Sequence, residues 1–298
     1  MKITTLIEDT KQDDRLVNEF GLSLFIESNG TNILLDTGSS GCFLQNSNIL
    51  GVDLKKIKYA IITHAHADHA GGLDTFLKTN DTATVYMHKN AVYEHYGNIG
   101  AKLPPFIGRI VHPLVKNSKA FSKYIGLDKD TIKRHEKRIK FITKMVEISN
   151  DIFLITDISN SFPKPEGNKF LLALKNGRLA EDDFKHELIL LIKENDGIVV
   201  FSGCCHNGIL NIIETVKHLF KDQTIKAIVG GLHLKLQPQK DNMAGTRKDV
   251  EFIASEIIDR GIQRICTGHC TGSKAYNLLR NRLNERISPL FTGSIVDL

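Results

Sequence analysis

The chain of 298 residues contains 41% hydrophobic and 24% charged residues and carries a formal net charge of +5. This length suits one large core, or a core with an added subdomain, and the composition is that of a soluble globular protein. No apolar run is long enough to cross a bilayer, so the transmembrane class is excluded. The first ten residues lack the apolar segment of a secretory signal, and we therefore expect a cytoplasmic protein that begins at Met1.

The cysteines do not form the pattern of a disulfide framework. Their number is odd, and in a chain without an export signal we expect reduced thiols that either bind metal or pack in the core. They are Cys42, Cys204, Cys205, Cys266 and Cys270.

The first predicted elements are short buried strands. The stretch from Leu22 to Gly38 alternates in polarity and then becomes apolar, which predicts two strands joined by a turn at Asn29 and Gly30. Another strand is expected from Lys58 to Thr63, directly before a polar run. These strands lie at the start of a predicted sheet.

Strands and helices alternate through much of the remaining chain. Apolar residues recur at helical spacing from Gly208 to Phe220, with Asn207 at the cap position, and from Lys248 to Arg260, with Gly261 just beyond the end. Further strands are predicted at 84–88, 152–156, 187–193, 198–202, 225–229 and 263–267. The alternation predicts an α/β or mixed α+β class whose sheets are covered by helices.

The segment from Lys102 to Lys144 breaks this rhythm. It holds twelve Lys or Arg and three Asp or Glu, a net charge of +9, which leaves −4 for the rest of the chain. We expect a helical part from about Asp130 to Val146 that lies over the core as an insertion. A solvated face is one interpretation of this charge. The other is a lid that attracts an anionic substrate, with Lys133, Arg134, Lys137 and Arg138 as its binding residues.

Four potential metal ligands follow the strand that ends at Thr63. His64, His66, Asp68 and His69 lie within six positions and are separated by small residues. An extended exit from the strand places His64 and His66 on one side, and Asp68 and His69 then stand where the chain turns into a helix. Imidazoles suit zinc, iron and copper, and a neighbouring carboxylate allows a second metal with an open water position. The spacing therefore predicts a metal site.

The run from His64 to His69, preceded by Leu35-Asp36-Thr37-Gly38 at the end of a strand, resembles the metallo-β-lactamase superfamily. Further segments resemble its subgroup of dihydropterin-ribofuranosylaminobenzene phosphate synthase-like metal-dependent hydrolases; they are Gly51–Asp53, Ser202–Ile209, Gly230–Leu234 and Thr267–Gly272. The resemblance runs from Leu22 to the carboxyl end. It implies a four-layer αββα sandwich with a two-metal site at one edge of the paired sheets. We expect one domain over residues 1–298, with the basic helical insertion at about 102–146.

Each metal needs further ligands, and two histidines after later strands are the first choices. His269 follows a strand in a glycine-rich turn, where the superfamily usually places its last histidine ligand. His206 follows another strand at the start of the helix from Gly208. Many members carry an Asp near it that bridges both metals, whereas this chain has Cys204. A thiolate there would favour zinc over magnesium or manganese, and a buried thiol would only pack.

Several other residues are weaker candidates. Asp36 is expected either to orient a ligand loop or to serve as a turn residue. His186 or Glu187 could replace His206 as a ligand, because many superfamily members supply a histidine before the strand at Leu188. His233 follows a Gly-Gly turn and is either a substrate contact or an ordinary loop residue. We interpret the remaining histidines as surface or packing residues; they are His88, His95, His112, His135 and His218.

The leading functional prediction is a metal-dependent hydrolase with two zinc ions, with iron or manganese as alternative metals. Asp68 would be its catalytic residue, because it would bind one metal and orient the attacking water. The substrate would be a small, anionic or phosphorylated molecule. The alternative from the subgroup resemblance is a transferase that condenses a dihydropterin with a ribofuranosylaminobenzene phosphate. A nucleic-acid phosphodiesterase is less favoured, because the basic segment has few aromatic residues, and a diiron redox protein would need a flavin domain.

Overall fold

The computed structural model describes residues 1–98, 118–237 and 240–298, together with residues 103, 107, 110 and 111. The strands in these parts are β1 (Lys2–Ile7), β2 (Ser23–Ser28), β3 (Thr31–Leu35), β4 (Tyr59–Ile61), β5 (Thr84–His88), β6 (Glu94–Asn98), β7 (Ser122–Tyr124), β8 (Ile139–Ile142), β9 (Val146–Ser149), β10 (Ile152–Ile155), β11 (Leu171–Lys175), β12 (Arg178–Glu181), β13 (Ile189–Glu194), β14 (Gly197–Phe201), β15 (Ile225–Val229), β16 (Lys235–Gln237), β17 (Lys240–Met243), β18 (Arg264–Thr267), β19 (Ile287–Pro289) and β20 (Ile295–Asp297).

The α-helices of the described residues are α1 (Cys42–Leu50), α2 (Ala67–Ala70), α3 (Leu73–Thr79), α4 (Lys129–Arg134), α5 (Ile209–Leu219), α6 (Arg247–Asp259) and α7 (Ser273–Leu283). Short 3-10 helices cover Leu54–Lys56, Lys89–Val92, Lys119–Phe121, Glu136–Arg138, Glu166–Phe170, His269–Thr271 and Asn284–Arg286. Within the part of the chain that the structure describes, no helix is both long and apolar enough to span a bilayer.

Two seven-stranded sheets form the centre of the molecule. The first has the order β20-β1-β2-β3-β4-β5-β8, and the second has the order β19-β18-β15-β14-β13-β10-β9. The strands β12-β11-β6-β7 form a separate four-stranded sheet, which we call the small sheet, and β16 pairs with β17.

The core explains why the sheets pair. Along β14, Val199 and Phe201 pack between the two large sheets, whereas Ile198 and Val200 point outward against α5 and α6. Successive side chains of a strand face opposite sides, so a strand that is apolar throughout must be covered on both faces. The first sheet is covered by α1 and α3 in the same way. The layers are therefore helix, sheet, sheet and helix, which confirms the predicted αββα sandwich.

The predicted helix from Asp130 to Val146 was wrong beyond its first turn. Helix α4 ends at Arg134, and Ile139–Ile142 forms β8, which pairs in parallel with β5 at the edge of the first sheet. Ile139 is buried between charged neighbours, so the strand is part of the sandwich and not a layer over it. The predicted insertion also includes residues at 102, 104–106, 108–109 and 112–117, which lie outside the described residues.

The predicted cap of α5 was also wrong. Gly208 occupies the cap position and has no side chain that could accept a capping hydrogen bond. Asn207 instead donates its amide to the Phe184 carbonyl and the Glu187 carboxylate. Helix α6 begins as a capping box, in which Thr246 and Asp249 each accept a hydrogen bond from the backbone of the other.

Candidate metal centre

The predicted metal ligands lie at one edge of the sandwich because each follows the carboxyl end of a strand with a parallel neighbour. The strands concerned are β4 and β3 of the first sheet, which pair in parallel, and β14, β15 and β18 of the second, which also pair in parallel. The residues that follow them are Asp36 after β3, His64 to His69 after β4, Cys204 and His206 after β14, His233 after β15 and His269 after β18. Carboxyl ends of parallel strands meet at the same edge of a sheet.

One cluster of possible metal ligands contains Asp68, His69, Cys204 and His269. Nε2 of His69 lies 3.2 Å from Nε2 of His269 and 3.0 Å from Sγ of Cys204. Oδ2 of Asp68 lies 3.3 Å from Nε2 of His269 and 3.7 Å from Nε2 of His69. Four donors around a tetrahedral zinc ion lie about 3.3–3.8 Å apart. The four separations given above are therefore close to those of a tetrahedral ligand set.

Carboxylates fix which nitrogen of each ring faces this cluster. His69 donates Nδ1–H to Asp36 at 2.7 Å, and His269 donates Nδ1–H to Asp9 at 2.7 Å. With Nδ1 protonated, a neutral imidazole carries its lone pair on Nε2. If both rings are neutral, their Nε2 lone pairs face each other across 3.2 Å, and a cation between them would remove the repulsion.

The charge state of the cluster points the same way. Burial opposes the ionisation of Asp68, but His69 and His269 outweigh it and hold the pKa of Asp68 well below its usual range. Burial also opposes the protonation of His269, but Asp9 and Asp68 raise the pKa of this imidazole well above its usual range. The pocket therefore stabilises a positive charge at this point, as a bound metal ion requires.

A second group of donors lies beside the first. His64 and His206 each place one ring nitrogen within 4.8 Å of Sγ of Cys204, and these two nitrogens lie within 4.8 Å of each other. His64 donates Nδ1–H to the Thr63 hydroxyl at 3.0 Å, and that hydroxyl donates to Asp36 at 2.7 Å. Nε2 of His64 is left buried and without a partner, as is Nε2 of His206.

His206 is held by its own set of contacts. Nδ1 lies 3.0 Å from Oδ1 of Asn168, whose amide donates to the His206 carbonyl at 2.7 Å. The ring of Phe184 stacks on the imidazole at 4.2 Å with an angle of 7° between the planes. Burial and neighbouring imidazoles hold the pKa of His206 well below its usual range, so Nε2 offers a lone pair at neutral pH.

Cys204 lies between the two groups, where both could share its sulfur. The side chain is 2% exposed, and burial raises the pKa of the thiol well above its usual range. A bound cation is what converts such a thiol into a thiolate. The residue before Cys204 is Gly203, which has no room for a side chain because an added Cβ would collide with the Thr63 hydroxyl.

His66 connects this centre to another cluster. Its ring lies 4.7 Å from that of His64 and 4.9 Å from that of His206. One of its ring nitrogens also lies within 4.8 Å of donors from His95, Asp182 and His186. His95 is 1% exposed, which excludes a surface position and agrees with a packing residue, and the small sheet carries it to the edge of the candidate metal centre.

The weaker candidates from the sequence act mainly as supports. Both oxygens of Glu187 accept backbone N–H bonds, from His206 at 2.6 Å and from Asn207 at 2.8 Å, and so shape the ligand loop. His186 accepts the N–H of Ala65 at Nδ1 and faces Asp182 at Nε2, so neither nitrogen is free. These contacts give no support to the prediction that His186 or Glu187 replaces His206.

His233 lies beside the centre, with its ring 4.1 Å from that of His206. Both of its ring nitrogens are buried and without a partner, and it has a positive φ of 48°. Its backbone N–H donates to Sγ of Cys270 at 3.3 Å. His233 and Cys270 each place one donor atom within 4.8 Å of Cys204, so the predicted substrate contact stays open.

The other histidines set aside from the sequence are not in these clusters. His88 is buried and accepts the N–H of Asn90, His135 contacts Asp74, and His218 is exposed. His112 lies outside the described residues.

The structure adds Asp9 and Asn168, together with Asp182 and His95, to the residues found in the sequence. Asp9 follows β1, about 260 residues before His269, and Asn168 belongs to a 3-10 helix before the small sheet's β11. No motif marks either residue, because each is defined only by the ring that it contacts. The signal for Asp182 and His95 would have been their shared small sheet, which the sequence does not reveal.

The four predicted basic residues differ in their contacts. Lys133 and Lys137 are exposed, and Arg134 pairs with Asp74 at 3.1 Å. Arg138 instead donates to backbone carbonyls, including those of Leu77 at 2.9 Å and Asn80 at 2.6 Å. Its guanidinium is therefore occupied by backbone hydrogen bonds that stabilise the fold.

Comparison with known proteins agrees with this geometry. Residues 17–137 match the family model of the metallo-β-lactamase superfamily. Over 99% of its length the chain is 29% identical to the 7,8-dihydropterin-6-methyl-4-(β-D-ribofuranosyl)-aminobenzene-5′-phosphate synthase of Methanocaldococcus jannaschii, 96% of which is covered.

Solved structures extend the comparison to the whole fold. A metal-dependent hydrolase of the β-lactamase superfamily, Tm1679, is 26% identical with a TM-score of 0.79, and 100% of this chain and 99% of that chain are covered. Zn²⁺-bound PqqB from Methylobacterium extorquens has the same fold, with a TM-score of 0.56 at 12% identity and 100% of both chains covered. The chain is thus similar to the metallo-β-lactamase superfamily in three respects: the family-model match over residues 17–137, the full-length relative and the shared αββα sandwich.

Proposed function

We propose that the chain is a hydrolase that holds two zinc ions and acts on a small, anionic or phosphorylated molecule. One ion would be held by Asp68, His69, Cys204 and His269, and the other by His64, His66 and His206. The observation that carries the proposal is the approach of the Nε2 atoms of His69 and His269 to 3.2 Å, with Nδ1 of each ring held by a carboxylate.

The donor set favours zinc over harder metals. Imidazole nitrogens and one thiol suit zinc, whereas magnesium and manganese prefer oxygen ligands. When bound, zinc supplies a Lewis acid that lowers the pKa of water to about 7 and stabilises negative charge on the reacting group. Three protein ligands around the second ion leave a coordination position for water or substrate.

Asp68 is the member of the cluster that a reactant can reach. Its side chain is 18% exposed, whereas those of His69 and His269 are fully buried. We assign it two roles, which are to complete the ligand set and to accept a hydrogen bond from the attacking water through a carboxylate oxygen. The surrounding buried imidazoles exclude bulk water, which strengthens these electrostatic contacts.

Metal analysis combined with single substitutions tests the proposal. The purified protein should contain two zinc ions, and His69→Ala or His206→Ala should each lose about one ion and at least 100-fold in kcat/KM for a phosphodiester or ester substrate. His218→Ala, on the exposed face of α5, is the control and should change neither. A wild-type protein that binds no divalent metal, or variants with full metal content, would disprove the assigned ligands.

A condensing transferase is the second candidate, because the full-length relative carries a synthase name. The two reactions differ in what they release. A condensation would consume an arylamine and a pterin bearing a pyrophosphate, and would release pyrophosphate only when both are present. A hydrolase would release product from one substrate alone. If pyrophosphate forms only when the arylamine is present, the chain is a transferase and not a hydrolase. The proposed metal ligands would be unaffected by that result.

A further inference from the structure

Four of the five histidines of the proposed metal centre have a visible partner on the ring nitrogen that faces away from the metals. Thr63 serves His64, Asp36 serves His69, Asn168 serves His206 and Asp9 serves His269. Such partners fix the tautomer and the ring orientation of a metal ligand. His66 is the exception among these described residues, because its Nε2 is buried and has no hydrogen-bond partner.

The side chains beside His66 form an ordered network of their own. Oδ2 of Asp182 accepts Nδ1–H of His95 at 2.7 Å and Nε2–H of His186 at 3.0 Å. Oδ1 of Asp182 accepts the N–H of Phe184 at 2.9 Å. The carboxylate is therefore satisfied at both oxygens and holds two rings in defined tautomers.

The network leaves one atom that can accept a hydrogen bond. His186 has a partner at each nitrogen, since its Nδ1 also accepts the N–H of Ala65 at 3.1 Å. His95 donates Nδ1–H to Asp182, so Nε2 of the neutral ring carries a lone pair, and this atom is buried and unpartnered. A ring nitrogen of His66 lies within 4.8 Å of one of His95. That separation suits a direct contact after a small side-chain movement, or one bridging water.

We infer that His95 is the outer partner of His66: when a metal is bound, His66 would present Nε2–H to the lone pair on Nε2 of His95 and would leave Nδ1 for the metal. The inference rests on the proposed metal centre and adds a positioning residue to it. Asp182 fixes the proton of His95, and through His186 it also holds Ala65, the residue between the ligands His64 and His66.

The small sheet carries the residues of this network. His95 lies on β6, and Asp182 directly follows β12 of the same sheet. The backbone also links the sheet to the ligand loop, because Ile125 donates to the His95 carbonyl at 2.9 Å and accepts the N–H of Ala67 at 2.7 Å. These contacts make the small sheet a support for the segment from His64 to His69.

Metal affinity of the complete protein tests the inference. We expect His95→Ala to weaken zinc binding, measured by competition with a chelator, by about 10- to 100-fold. His95→Gln keeps an acceptor at about the place of Nε2 and should recover most of that affinity. His135→Ala is the matched control, because His135 contacts Asp74 as His95 contacts Asp182, and it should bind zinc as the wild type does.

Nuclear magnetic resonance of the cobalt-substituted protein provides a second readout. Each metal-bound imidazole gives a shifted signal from its exchangeable N–H, and we expect one such signal to broaden by solvent exchange in His95→Ala but to persist in His95→Gln. Unchanged affinity and signals in His95→Ala would overturn the inference, as would equal losses in both variants. If the wild type bound no metal, the proposed function itself would fail, so the two failures are distinguishable.

Discussion

Cys204 is the residue at which this centre differs most from the carboxylate-bridged pattern that the resemblance implies. Its Sγ lies 3.0 Å from Nε2 of His69 and also belongs to the group formed by His64 and His206. Burial raises the pKa of the thiol, so the sulfur becomes charged only if a cation compensates for it. Ligation and packing therefore predict different results when the sulfur is replaced.

We predict that Cys204→Ser lowers the occupancy of one metal site and leaves the other filled, because a hydroxyl is a far weaker ligand than a thiolate. Cys204→Asp should restore two ions. Zinc titration followed by metal analysis measures both. Cys42→Ser, which removes a thiol far from the ligand groups in sequence and outside the described clusters, should behave as the wild type. Two ions of undiminished affinity in Cys204→Ser would mean that this thiol only packs.

The sequence points to the inner residues of the candidate centre more fully than to the residues that support them. His64, His66, Asp68 and His69 form a local motif whose chemistry can be interpreted without a structure. Asp9 and Asn168 could not be found in that way, because a turn carboxylate and a loop amide are common and only their contacts with His269 and His206 distinguish them.

At the scale of elements, the least expected feature is the strand β8. The charged residues that flank Ile139 to Ile142 favour a helix on the sequence alone, but this segment pairs in parallel with β5. Local sequence cannot predict this pairing, because its partner lies more than 50 residues away and the favourable terms are long-range. Strands β4 and β14, by contrast, were predicted well because each is apolar throughout and is followed by turn residues.

Arg138 ties this strand to the helical layer. Its guanidinium bonds the carbonyls of Leu77, Asn80 and Ala83, the last at 3.0 Å, and thereby joins the end of α3 to the start of β8. Backbone carbonyls at a helix end need such partners when water is largely excluded. The hydrogen bonds of Arg138 thus stabilise the fold.

We predict that Arg138→Ala lowers the free energy of unfolding by about 1.5–3 kcal/mol, the range for hydrogen bonds to a charged group. Lys137→Ala, at the exposed neighbouring position, should change stability by less than about 0.5 kcal/mol. Urea unfolding followed by circular dichroism compares the two variants. If Arg138→Ala were as stable as Lys137→Ala, the carbonyl contacts would contribute nothing measurable.

The charge of the whole molecule is distributed unevenly. The segment from Lys102 to Lys144 carries +9 against −4 elsewhere, and its described part contacts the ligand loop through Ile125. Two of its lysines, Lys133 and Lys137, are exposed and take part in no ion pair described among residues 118–237. A positive surface near an anion-binding centre raises the local concentration of anionic substrate, and salt weakens the effect.

We predict that the double variant Lys133→Gln and Lys137→Gln raises KM severalfold for a phosphorylated substrate, reduces the dependence of kcat/KM on salt and leaves a neutral ester unaffected. Arg138 is kept intact in this test, because its loss would destabilise the fold and confound a change in substrate binding. The control removes two charges elsewhere, through Lys55→Gln and Lys56→Gln in the exposed turn before β4. If both double variants had the same effect, only net charge would matter. If neither changed KM, the basic segment would be a solvated face, and substrate attraction would have to come from the metal centre alone.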